Sequence, residues 1–62
     1  MFVEINSVTN NVIVSIKHDN GNIHTIIYGD YIVEYADHYE IIQDDKMVCL
    51  LGKGKIIDKV SG

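Results

Sequence analysis

Asp19-Asn20-Gly21-Asn22 stands between two runs rich in β-branched residues, Val12 to Lys17 and Ile23 to Tyr28. Asn-Gly suits a two-residue type I′ turn, because both central residues need positive φ. Such a turn fixes a hairpin register, and the register decides which side chains share a face. With Asn20 and Gly21 at the tip, Val14 faces Ile27, Ser15 faces Ile26, Ile16 faces Thr25 and Lys17 faces His24. A second two-residue turn is expected at Gly29-Asp30. It would set Ile27 opposite Ile32, Ile26 opposite Val33 and Tyr28 opposite Tyr31.

Strand side chains alternate between faces. One face of the expected sheet carries Val12, Val14, Ile16, Ile23, Thr25, Ile27, Ile32 and Glu34. The other carries Ile13, Ser15, Lys17, His24, Ile26, Tyr28, Tyr31, Val33 and Tyr35. Each holds six apolar or tyrosine residues, whereas a half-solvated antiparallel sheet shows one apolar and one polar face. The rest of so short a chain can cover one of them. Ile13, Ile26, Tyr28, Tyr31, Val33 and Tyr35 are therefore the expected interface, toward a second copy or another protein. Tyrosine suits that role, being large, rigid and polar at its tip.

Elsewhere a short first strand, Phe2 to Ile5, is followed by a turn-rich stretch, Asn6 to Asn11. Tyr39 to Gln43 and Lys46 to Leu51 form a further hairpin around Asp44-Asp45, and Gly52-Lys53-Gly54 turns into Lys55 to Val60. The expected fold is all-β and a single domain over residues 1–62. It is a small antiparallel β-barrel or two-layer sheet of about five to six short strands. The alternative is α+β with a helix at about 30–42. There Asp30 would cap a stripe of Ile32, Tyr35, Ala36, Tyr39 and Ile42.

At 62 residues a domain buries only about 60% of its unfolded surface, and such scaffolds lean on disulfides, metals or partner subunits. Cys49 is the only cysteine, so no internal disulfide forms; it reads as a small apolar residue. One thiol and no secretory leader point to the cytoplasm. No apolar run approaches the ~18 residues of a membrane span. Proline, a standard guard of edge strands, is absent. Charge is uneven: residues 1–45 hold one lysine against eight acids, net −7, and residues 46–62 hold four lysines against one acid, net +3.

No catalytic set is visible, so an enzyme is not expected, and neither a cofactor nor a metal is implied. His18, His24 and His38 lack the spacing of a zinc site. Gly52-Lys53-Gly54-Lys55 lacks the G-x-x-x-x-G-K-[ST] pattern of a phosphate loop. The leading expectation is a non-enzymatic interaction module: a homo-oligomer that binds another protein, in the manner of a small phage-type inhibitor or regulator. The alternative is a binder of nucleic acid or a small phosphorylated ligand through Lys46, Lys53, Lys55 and Lys59.

Overall fold

The computed structural model describes residues 1–54 and, by backbone alone, 57–61. Seven strands follow one another: β1 (Phe2–Val8), β2 (Asn11–Lys17), β3 (Ile23–Gly29), β4 (Tyr31–Glu34), β5 (His38–Gln43), β6 (Lys46–Gly52) and β7 (Ile57–Ser61). They form a four-stranded sheet in the order β3-β2-β1-β7 and a three-stranded sheet in the order β4-β5-β6. Pairing is antiparallel except between β1 and β7, which run parallel. The all-β expectation holds in its two-layer form. The sheets do not close into a barrel, and there is one strand more than the upper expectation.

No helix forms over residues 30–42. That stretch is β4, a tight turn and β5. The turn closes where the Tyr35 N–H donates to the His38 carbonyl at 2.8 Å. Its tyrosines and β-branched residues suit a pleated surface better than a helical one.

The first long hairpin keeps its expected register by a different route. Asn20 is not among the residues with positive φ, whereas Gly21 lies at φ 92°. The Gly21 N–H donates to the His18 carbonyl at 2.9 Å, and the His18 N–H to the Asn22 carbonyl at 2.8 Å. This is a three-residue loop, a tight turn followed by a left-handed glycine, and not the type I′ turn. The extra residue shifts Lys17 opposite Ile23, and a bulge at His24 then restores Ile16 to Thr25, Ser15 to Ile26 and Val14 to Ile27. Two one-residue shifts cancel. Lys17 therefore does not face His24.

The turn expected at Gly29-Asp30 is not a hairpin. β3 and β4 lie in different sheets, so Tyr28 does not face Tyr31. Gly29 is buried, and a Cβ placed there would collide with Cγ2 of Ile41 on β5. The next residue donates its N–H to the Ile42 carbonyl at 2.7 Å. The glycine thus serves close approach between the sheets rather than a reversal. β4 instead pairs with β5, setting Ile32 against Ile41 and Tyr31 against Ile42.

At the tip of the β5–β6 hairpin, Asp44 and Asp45 both lie in the left-handed region, at φ 53° and 62°. Aspartate tolerates that region better than most residues. The Asp44 N–H is held by Asp30 Oδ2 at 3.0 Å. The Asn6–Asn11 stretch is mostly strand: β1 runs on to Val8, and only Thr9 and Asn10 turn, with Asn10 at φ 63°.

The core is the inner face of both sheets. Val3, Ile5, Val12 and Val14 of the larger sheet meet Ile41 and Leu51 of the smaller one. Ile16, Ile27, Ile32, Tyr39 and Cys49 pack around them. Each fully buried aliphatic side chain contributes about 1.5–3 kcal/mol.

Gly29→Ala should destabilise the protein by about 1–3 kcal/mol through overpacking. Gly52→Ala, whose added methyl meets nothing within 4 Å, should change stability far less; urea denaturation of the two variants checks the contrast. Asp45→Gly should raise stability by about 1 kcal/mol in the same assay by relieving a left-handed non-glycine residue.

Candidate interaction surfaces

With one face of each sheet committed to the core, the opposite faces are read directly from the registers. On the larger sheet, Glu4, Ser15 and Ile26 form one outward row, and Asn6, Ile13 and Tyr28 the next. On the smaller sheet the outward rows are Tyr31, Ile42 and Met47, then Val33, Glu40 and Leu50. A bulge beside Ile42 leaves Val48 as an extra residue in β6.

These rows divide the expected interface in two. Ile13, Ile26 and Tyr28 lie together on the larger sheet. Tyr31 and Val33 belong to the smaller one, and Tyr35 follows at the end of β4. They do not form one continuous face, because the chain changes sheets at Gly29-Asp30. All are exposed except Val33, which is half-buried, and Tyr28 retains 60% of its surface.

Sequence reasoning missed the β6 contribution. Met47, Val48 and Leu50 are all exposed, Leu50 to 55%. Cys49 and Leu51 face inward, which turns Leu50 outward, but a run that is apolar at every position carries no signal of it. Cys49 is half-buried against the core, and burial pushes its thiol pKa up. A raised pKa disfavours a thiolate nucleophile.

A polar clip holds the turn between β4 and β5. His38 Nδ1 lies 2.6 Å from Asp37 Oδ1, and Nε2 lies 3.3 Å from Glu40 Oε2. Only the imidazolium donates from both nitrogens. The Asp37 hydrogen bond, joined by Glu40, raises the His38 pKa, and the same bond lowers that of Asp37. Tyr35 stacks on the His38 ring, with centroids 4.5 Å apart and planes within 10°. His18 and His24 meet edge to face at 5.1 Å near the first hairpin loop. Among the described residues, no three His, Cys, Asp or Glu side chains gather as metal ligands.

The lysines do not assemble into a described anion site. Lys53 bonds Glu34 at 2.8 Å and sits 4.9 Å from the centre of the Tyr39 ring. Glu34 raises its pKa. Its backbone N–H donates to the Asp37 carbonyl at 2.9 Å. Lys46 is exposed at the start of β6. Lys59 lies in β7, with only its backbone described, and Lys55 is outside the described residues. Lys17 is paired with Glu4 at 2.8 Å on the outward face of the larger sheet.

No family model matches this chain, and neither a curated protein nor a solved structure matches it.

The clip sets a pH dependence. A folded-state His38 pKa above the unfolded value gives stability that is full below about pH 6.5. That stability is lost as pH rises through the folded value. The lowered Asp37 pKa contributes above the usual carboxylate range, and its share is lost on acidification. An NMR titration of the His38 ring should give a pKa above the ordinary histidine value, and Asp37→Asn should bring it down. A wild-type value at or below the ordinary one would show that the clip does not form.

Proposed function

We propose that this chain is a non-enzymatic interaction module, a homo-oligomer that also binds another protein. One observation carries the reading. Among the described residues six hydrophobic side chains are buried, while eleven large ones, Tyr28, Tyr31 and Tyr35 among them, remain exposed. Six of them, Ile13, Ile26, Tyr28, Tyr31, Met47 and Leu50, lie on the outward rows of the two sheets. Scattered exposed apolar residues are ordinary, but an apolar row such as Tyr31, Ile42 and Met47, with Glu40 in the next row, suits protein contact.

Charge supports the class of partner. Residues 1–45 carry net −7, and Glu40 sits between Val33 and Leu50 on the outward face of the smaller sheet. An acidic surface with apolar rows favours a protein that presents a basic, partly apolar face. A small inhibitor or regulator of such a partner, working in the cytoplasm, is the role in view. The engagement of Lys53 by Glu34 weighs against the reading as an anion binder.

Light scattering on the full chain should return a mass above the 7.0 kDa of one copy. Tyr28→Glu should shift it toward the monomer. A wild-type monomer persisting at high micromolar concentration would remove the self-association part of this reading.

A further inference from the structure

The two open sheets present four edges, β3, β4, β6 and β7. An edge strand offers unpaired backbone groups to any other strand, and proteins guard edges with charge, proline, bulges or short length. β4 is only four residues long and ends on Glu34, which is ion-paired with Lys53. β6 opens on Lys46 and is bulged at Val48. β7 includes Asp58 and Lys59. β3 is different: its seven residues, Ile23-His24-Thr25-Ile26-Ile27-Tyr28-Gly29, include no lysine, acid or proline. Its bulge lies at His24, leaving the remaining pairs with β2 regular through Gly29.

Resting on the reading that the chain self-associates, we propose that β3 is the edge by which it does so. Two copies pair β3 against β3, antiparallel, about a two-fold axis at Ile26, and join their larger sheets into one. A two-fold contact uses the same patch on both subunits, so the strand must complement itself. Centred on Ile26, the middle of the strand, it does: Ile26 meets Ile26, and Thr25 meets Ile27 of the second copy. His24 comes beside Tyr28. Opposed β-branched and aromatic side chains stabilise antiparallel pairs.

Charge selects the occupant. The chain carries net −4, so two copies repel unless they meet where charge is absent, and β3 carries no Lys, Asp or Glu. At the ends of the pairing, Asp30 meets Asn22 of the second copy rather than another acid. A basic partner of the kind proposed above gains nothing electrostatic from this edge. An identical strand loses nothing there.

The test compares full-length variants by light scattering over a concentration series. Ile26→Lys sets like charges directly opposite each other and should raise the concentration for half-association by on the order of tenfold or more. Asn6→Lys lies on β1, on the same outward face but two strands from the edge, and should leave association within about twofold. In a Cys49→Ser background, Ile26→Cys should form an intermolecular disulfide with oxidised glutathione. Directly opposed residues have Cα atoms about 4.5–5.5 Å apart, inside the span a disulfide bridges. Equal weakening by Asn6→Lys and Ile26→Lys, with no disulfide, would overturn edge pairing and show that the faces pack instead, leaving self-association intact. An oligomer unchanged by Ile26→Lys and free of disulfide would overturn it too. A wild-type monomer would overturn edge pairing together with the self-association part of the reading above.

Discussion

Gly29 lies where Ile41 of the smaller sheet reaches the inner face of the larger one. Any side chain there would occupy the space of the Ile41 methyl. Because the space is empty, Ile41 can sit fully buried in the same cluster as Ile5, Val12 and Val14. The backbone then passes straight from β3 into β4, and the Asp30 N–H is satisfied by Ile42 on the way. Protein interiors are packed too densely to absorb an extra group without a shift. One missing Cβ therefore sets both the closeness of the sheets and the point at which the chain changes sheet.

Much of the surface follows from that crossing. Two sheets share one core, so each keeps an outward face that nothing in the described chain covers. A larger domain would place helices or further strands there. The polar contacts are peripheral to the core: Lys17 with Glu4, Lys53 with Glu34, and His38 between Asp37 and Glu40. Lys17 and Glu4 tie β2 to β1, Lys53 and Glu34 tie the chain after β6 to the end of β4, and the His38 clip holds the turn after β4, leaving the row of Tyr31, Ile42 and Met47 open. The His38 clip also holds the Tyr35 ring against the histidine at the rim of the smaller sheet.

Local features were legible where local physics decides them. The β-branched runs announced strands, and the pairing of Val14 with Ile27 and Ser15 with Ile26 was readable from the Asn-Gly position. It held because the longer loop and the His24 bulge offset each other, a coincidence that turn chemistry alone does not reveal. Asp44-Asp45 was placed as a hairpin tip, and both residues take the left-handed conformation such a turn demands. The outward direction of Ile13, Ile26 and Tyr28 followed from alternation. The β6 residues were obscured because Met47 to Leu51 is apolar at every position, so hydropathy gave no alternation to read.

The sequence by itself determined the all-β class, the central register of β2 with β3, the Asp44-Asp45 hairpin tip and a surplus of apolar faces over the chain available to cover them. These depend on neighbours a few residues apart and on simple counting. Tertiary structure alone decided that Gly29 is a contact rather than a turn. It thereby divided the expected tyrosine face between two sheets. Glycine suits a reversal and a close approach equally well. Which use prevails depends on Ile41, twelve residues further along the chain, and that long-range contact leaves no trace in the residues around the glycine.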